Sequence, residues 1–447
     1  METKIERAPE EVAVSEDAKF GLREATLYGI NAVIGSGIFL LPREIYSNLG
    51  PASLLAIIVD ILLVLLLAVC FAEVAGYFDK NGGPFQYSRT AFGNYVGFNV
   101  GILGWFVTIV AWAAMAAGFA RLFVLAVPAT SGHETMISIL LVIALSIINS
   151  QGIKTSKLFT IFITIAKLIP IFAFCAIAVF FVKGGMDAGH FQPFVQLAPG
   201  KDLGSAMSST ALTIFYAFIG FETMPIVAGE MRDASRNVPK AIVSSILIVS
   251  LLYFIILLGT IAMLGNGIMQ SDAPVQDAFV MMIGPSGAWI ITIGALISVG
   301  GLNMGDSLMI PRYGASIANE GLLPKAIGKE NTKGAPIVAI IVSGVLAILL
   351  LMAGNFEELA ELSVVFRFFQ YIPTALAVIV LRKKDMKKQP AFRLKGGMLI
   401  PILGTAISVW VLSQAKPSSL IAGVVGVVVA TILYFLLGNN KKAEAEV

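Results

Sequence analysis

Apolar residues run through this chain in long unbroken blocks, separated by short stretches rich in Gly, Pro, Lys and Arg. The block Leu54–Ala72, "LLAIIVDILLVLLLAVCFA", is representative. At 1.5 Å per residue, about 20 helical residues cover the roughly 30 Å hydrocarbon core of a bilayer. The blocks are continuous rather than alternating, so they predict helices and not the short alternating strands of a membrane barrel. Counted between polar breaks, twelve spans are expected, near 22–48, 52–78, 94–128, 135–151, 157–182, 205–230, 240–265, 285–317, 336–354, 359–381, 397–415 and 418–437. The third and eighth exceed the bilayer minimum, which predicts tilt or projection into the cytoplasm.

Two spans break their own pattern. The first carries "INAVIGSGIFLLP" (Ile30 to Pro42), with Gly35, Ser36 and Gly37 where the helix ought to be strongest. The sixth, "ALTIFYAFIGFETMPIVAGE" (Ala211 to Glu230), carries Gly220, Glu222 and Pro225. Both contain an Ile-Gly pair, Ile34-Gly35 and Ile219-Gly220, five spans apart. In a ten-span core these are corresponding members of two five-span halves, and an odd number forces the second half to be inverted. Paired interruptions of this kind point to a transporter's substrate site. Unwound backbone in lipid costs several kcal/mol per unsatisfied group unless protein, water or ligand satisfies it. Freed N–H groups suit a carboxylate and freed carbonyls suit an ammonium, so a small zwitterion fits both. Glycine at close helix packing is the bland alternative for "GSG" taken alone. The matching break beside a buried acid favours the site.

Composition fixes the class. The chain is 57% hydrophobic and 13% charged, against roughly 25% charged in soluble domains. Mean hydropathy is +0.86. The expected fold class is therefore an all-α polytopic membrane protein. Most of the 31 Lys and Arg fall on alternate connections if the N-terminus is inside, while the outer loops hold only Lys183, Lys201 and Lys416. This bias predicts cytoplasmic N- and C-termini in the cell membrane. The polar, acidic first twenty residues read as a tail rather than a cleaved signal. Cys70 and Cys175 lie in apolar blocks and imply no disulfide or metal. A net charge of +3 gives no sign of nucleic-acid binding.

The charges within spans carry more information. Arg43 and Arg121 sit near outer helix ends, where a long side chain reaches the interface. Lys167, in "FITIAKLIPIF", lies mid-span and must face the interior. Glu222 needs a partner if ionised, and Arg367 in "SVVFRFFQYIPTALAV" is the expected one. Asp60 is assigned to hydrogen-bonded packing, and Asp306 to a local pair with Arg312.

Four motifs then resemble the amino acid–polyamine–organocation permeases. They are "NAVIGSGIFLLP", "EVAGYFDKNGGPFQYSRTAFG", "FYAFIGFETMPIVAGEMRDASRNVPKAI" and "PRYGASIANEGLLPK", in the family's order along nearly the whole chain. The resemblance implies a leucine-transporter-like fold of two inverted five-span repeats, 22–182 and 205–381. Accessory spans would occupy 397–437, with tails at 1–21 and 438–447. It implies alternating access, and a substrate site made of Val33, Ile34, Gly35, Ser36, Gly37, Tyr216, Phe218, Ile219, Gly220, Phe221 and Glu222. The N–H groups of Gly35, Ser36 and Gly37 would hold a carboxylate, and carbonyls near Val33, Tyr216 and Ile219 an ammonium. Phe218 and Phe221 would be wall or gate residues. Lys167 would stand in for the sodium ion of coupled relatives, and Trp112, Arg367 and Tyr371 would serve as gate or network residues. Trp105 and Trp112 read equally as pocket wall or lipid-facing anchors.

The expectation is a sodium-independent, proton-coupled amino acid carrier, not an enzyme, with no cofactor or metal. Its partners are an amino acid or amine, a proton and the bilayer. Exchange of an amino acid for its amine or for another amino acid is the second reading, and a non-transporting sensor the third. Haem chemistry needs histidines within spans, but His133 and His190 lie in outer loops. No paired nucleophile and base at membrane depth marks a protease, and no repeated polar pore segment marks a channel.

Overall fold

The computed structural model of the protein describes residues 19–78, 82–152, 157–384 and 389–437. The expected tail 438–447, most of 1–21 and Lys387 and Lys388 of the basic loop lie outside the described residues. Among the described residues the fold is helical throughout, apart from one isolated bridge between Phe20 and Met231.

The first expected span is not one helix. It is α1 (Leu22–Val33), a one-turn α2 (Gly37–Leu40) and α3 (Pro42–Leu49), which starts on a proline whose missing N–H is no loss in a first turn. Then follow α4 (Ser53–Ala75), a short α5 (Gly83–Phe92), α6 (Asn94–Ala126), α7 (Glu134–Ser150) and α8 (Lys157–Asp187). The sixth span is α9 (Leu203–Phe218) followed by a 3-10 stretch, Phe221–Glu230. Asp202 starts α9 by accepting from the Ser205 N–H at 2.9 Å. Beyond lie α10 (Ala234–Leu264), α11 (Pro274–Ile283), α12 (Ser286–Asn319), α13 (Lys325–Gly328), α14 (Ile337–Ala353), α15 (Phe356–Lys383), α16 (Leu399–Leu412) and α17 (Pro417–Leu437). A reciprocal Asn355–Glu358 capping box fixes the start of α15. The short helices α5 and α11 had no counterpart among the expected spans. Their proline starts and glycine stops (Gly83-Pro84 to Gly93, and Pro274 to Gly284) are the signals that mark them.

Among the described residues, seven helical stretches are long and apolar enough to cross a membrane: Pro42–Ala75, Asn94–Ala126, Ile161–Asp187, Ala234–Gln270, Ser286–Asn319, Phe356–Lys383 and Pro417–Leu437. α7, α9, α11, α14 and α16 are apolar but shorter.

The polarity of the molecule is that of a membrane protein. Large apolar side chains cover the outside, with Phe180 84% and Leu436 72% exposed, while Lys167, Glu222, Asp60, Glu73 and Arg367 are buried. Water would penalise such a surface, whereas lipid tails match it. α10 is the central strut and packs on α1, α4 and α8; α15 and α12 both pack on α6. Cys70 and Cys175 are buried free thiols.

The expected snorkelling of Arg43 and Arg121 is replaced by pairing, with Asp272 and Glu357 respectively. A further pair went unnoticed in the sequence. Buried Glu73, at the end of α4, takes both Nε and Nη2 of Arg382 on α15 at 2.6 Å, and also the Leu394 N–H at 2.7 Å. This fork joins two helix ends and pins the returning loop. Glu73→Ala takes the carboxylate from the half-buried Arg382 guanidinium, which keeps the Gly397 and Leu394 carbonyls, and leaves the Leu394 N–H without its acceptor, a change that costs about 1–3 kcal/mol. Thermal unfolding of the detergent-purified variant should show a clear drop in Tm, and an unchanged Tm would remove the fork from the stabilising set.

Candidate functional site

The two interruptions meet. α1 ends at Val33, Ile34 turns extended, and α2 resumes at Gly37. α9 ends at Phe218, Ile219 is extended, and Gly220 has φ 130. The contact between them is reciprocal. A Cβ on Gly220 would lie 2.2 Å from the Ala32 carbonyl oxygen, and one on Gly37 would lie 3.0 Å from Cα and Cβ of Ala217. Each break therefore needs glycine because the other's main chain occupies the space, and Gly220 needs it also for its left-sided φ. Gly35 packs close to Met115 of α6 and Leu302 of α12, and Gly118 of α6 packs on Ser36. The Ser36 and Tyr216 hydroxyls lie 3.4 Å apart.

Backbone groups at the breaks divide into used and unused. Among the described residues, the N–H groups of Ser36, Gly37 and Ile38 are not hydrogen-bonded to protein, while those of Phe39 and Leu40 close onto the Ser36 carbonyl. They form the buried, unpaired donor end of α2, the kind of end that attracts an anion. Of the carbonyls assigned to an ammonium, Val33 accepts from the Tyr253 hydroxyl at 3.3 Å and Tyr216 accepts from the Ile219 N–H at 3.3 Å. The Ile219 carbonyl receives no protein donor among the described residues.

Tyr253 of α10 was missed by sequence reading. Its hydroxyl lies 3.0 Å from the Ala217 carbonyl as well as 3.3 Å from that of Val33, so one phenol bridges both breaks. It also faces the Gly35 N–H. In "SLLYFIILLG" it looks like any aromatic in an apolar span, and only the tertiary fold reveals its partners.

Lys167 reaches the first break from α8. Its Nζ donates to the carbonyls of Asn31 at 2.9 Å and Ile34 at 2.8 Å, and Ser298 of α12 approaches the same Ile34 oxygen at 3.4 Å. The ammonium thus satisfies the end of α1, whose last carbonyls have no helical partner. Glu222 closes the second break. Its Oε2 accepts from the Gly220 N–H at 3.0 Å and the Tyr371 hydroxyl at 2.7 Å. Its Oε1 lies 3.0 Å from Nη1 of Arg367, an ion-pair distance although off the line of a hydrogen bond. All three of these side chains are buried. Phe218 and Phe221 are wholly buried in aromatic packing, Phe218 on Tyr253 and Phe221 between Phe71 and Tyr371.

Trp105 and Trp112 are both buried, which excludes lipid-facing anchorage for either. Trp105 donates to Ser343 Oγ at 3.3 Å, and Trp112 Nε1 has no partner among the described residues. Asp60 is buried with neither carboxylate oxygen hydrogen-bonded among the described residues, contrary to the hydrogen-bonded packing expected for it. Asp306 also departs from expectation. Six residues at about 100° each set it roughly 120° round the helix from Arg312, too far for a shared face. The charges acting on it are Arg367, Lys167 and Glu222, while Arg312 donates to the Leu308 carbonyl at 2.7 Å.

A family model described as amino acid permease matches residues 20–437. Among similar proteins, an uncharacterized transporter of Mycobacterium tuberculosis is 29% identical over 421 residues, covering 88% of this chain and 86% of the relative. The branched-chain amino acid permease of Bacillus subtilis is 27% identical, covering 94% and 93%. The serine/threonine exchanger of the same organism is 27% identical, covering 89% and 90%.

Two substitutions probe the geometry. Gly220→Ala sets a methyl against the Ala32 carbonyl at a φ worth about 1–3 kcal/mol of strain, so thermal unfolding should move down accordingly. Tyr253→Phe removes the bridge and should lower stability by about 1–3 kcal/mol through stranded carbonyls. A Tyr253→Phe melting curve superimposable on wild type would show that the bridge contributes nothing.

Proposed function

The chain belongs to the amino acid permease family, and from that premise we propose that it carries an amino acid across the cell membrane by alternating access between the two faces. One observation carries the proposal: two helix breaks abut near the centre of the fold, with the N–H groups of Ser36, Gly37 and Ile38 unused beside the second break among the described residues. A zwitterion's carboxylate completes those donors. On the opposing break the Ile219 carbonyl, which receives no protein donor among the described residues, is an acceptor for the ammonium.

In this reading α1 to α8 and α9 to α15 form inverted five-span repeats over 22–182 and 205–381, the helices of 397–437 are accessory, and both termini are cytoplasmic. The shorter α7, α9, α14 and α16 cross the bilayer together with the long helices. The buried Lys167 occupies the position of a coupling cation, its ammonium held by two α1 carbonyls, so transport is sodium-independent and proton-coupled. Tyr216, Met115 and Leu302 beside the break favour a neutral side chain. The kinship with a serine/threonine exchanger supports amino acid exchange as the second mode. In that mode, unlabelled amino acid inside would accelerate efflux.

Uptake of labelled amino acids into proteoliposomes tests the reading and separates a carrier from a sensor. Replacement of sodium by choline should leave the rate within about twofold, far less than the roughly tenfold or greater effect of a lost coupling site. Lys167→Ala should abolish uptake, and normal uptake by this variant at neutral pH would remove the proposed role. Gly37→Leu should lose binding yet insert and purify normally, because its clash with Ala217 is confined to the break.

A further inference from the structure

Among the described residues the buried bases are Lys167 and Arg367, and each attends a different break. Lys167 is committed to the first, where the Asn31 and Ile34 carbonyls hold its ammonium. Arg367 of α15 attends the second, with Nη1 3.0 Å from Oε1 of Glu222 and 3.4 Å from Oε1 of Gln370. Its Nε has no partner among the described residues. This is not the two-pronged clasp of Arg382 on Glu73, which serves both carboxylate oxygens at 2.6 Å. Glu222 is moreover already held by two neutral donors, the Gly220 N–H at 3.0 Å and the Tyr371 hydroxyl at 2.7 Å. What Arg367 adds to the second break is chiefly its charge.

That charge sits close to the cargo's ammonium position. The N–H that Glu222 accepts and the carbonyl without a protein donor belong to one peptide, Ile219–Gly220. Oxygen and nitrogen of a single peptide are about 2.3 Å apart, so the Glu222 carboxylate lies within about 5 Å of the Ile219 carbonyl oxygen. Ile219 is partly exposed while every other residue of 214–226 is buried, so the stretch meets open space at this peptide. A bare carboxylate there would draw in a second positive charge. With a guanidinium 3.0 Å away the two charges cancel, and a dication finds no compensation for desolvating its extra charge.

We propose that Arg367 sets the charge class of the cargo. By cancelling Glu222 it admits amino acids with a neutral side chain and rejects those with a second positive charge, as well as diamines. The proposal rests on the reading of the Ile219 carbonyl as the ammonium acceptor. It goes beyond the apolar wall of Tyr216, Met115 and Leu302, along which the methylenes of a lysine side chain pack as well as a neutral chain does. Arg367 acts through Glu222 without touching cargo, as a positioning residue whose output is selectivity.

The test is ligand-induced thermal shift on the full-length, detergent-purified protein, titrated with each of the twenty proteinogenic L-amino acids and with 1,5-diaminopentane. Wild type should bind a neutral amino acid at least about tenfold more tightly than lysine or the diamine. Arg367→Gln leaves Glu222 its two neutral donors and should raise the ratio of lysine to neutral affinity about tenfold. Adding Glu222→Gln should cancel that rise, and Arg367→Lys should keep the wild-type ratio. The charges also act in the other direction: Glu222→Gln alone should weaken every cargo about tenfold, and the double variant should recover it. This second arm decides the matter if R367Q does not fold. A pair that only braces α15 would lower Tm in the variants and leave both comparisons flat, which overturns the proposal. Equal binding of lysine and neutral amino acids by wild type overturns charge selection alone. If nothing in the panel stabilises wild type, the ammonium-site reading falls and charge selection falls with it.

Discussion

A peptide group stripped of its hydrogen bond inside a bilayer has nowhere to turn for water, and this constraint organises the whole molecule. Among the described residues, helical hydrogen bonding satisfies it along most of the length of the spans and lapses at Ile34–Ser36 and Ile219–Gly220. There the chain supplies substitutes from outside the helix: the Lys167 ammonium for Asn31 and Ile34, the Tyr253 hydroxyl for Val33 and Ala217, and the Glu222 carboxylate for the Gly220 N–H. Three side chains from three other elements are recruited to hold two short gaps open. Such an expense of buried polar groups makes physical sense only where the gaps are used.

The polar interior follows from the same constraint. Glu222 cannot sit beside Gly220 as a bare anion, and Arg367 and Tyr371 of α15 answer it. The second break is thereby tied to α15, and the first to α8 and α12. Polar interactions in a medium without water are directional as well as strong, so these contacts fix the register of helices whose apolar faces would otherwise pack in several ways.

Much of this was legible from the chain because anomalies stand out against a uniform apolar background. Gly35-Ser36-Gly37 and Gly220-Phe221-Glu222 interrupt their blocks visibly, and Lys167 and Arg367 are charges where none should be. Residues that look ordinary in that background stayed hidden. Tyr253 is one, since an aromatic in a span has no distinguishing neighbours. Asp306 was misassigned for the opposite reason: Arg312 is near it in sequence, yet helical rotation turns the two apart. The Glu73–Arg382 fork joins residues more than 300 positions apart, and no local pattern encodes such a distance. The split of the first span into three helices was half visible, because the glycines announced the break but not the restart at Pro42.

The Tyr253 bridge has a mechanical corollary. Beyond this phenol, α10 runs on to Gly265, where the next residue, Asn266, accepts a hydrogen bond from Tyr46 of α3 at 2.9 Å. α10 is thus fastened to the broken first span at two heights, at the gap itself and nearer its far end. A rod clamped at two points cannot swivel about either one alone, so tilting α10 must drag both halves of that span and the tip of α9 as a single lever.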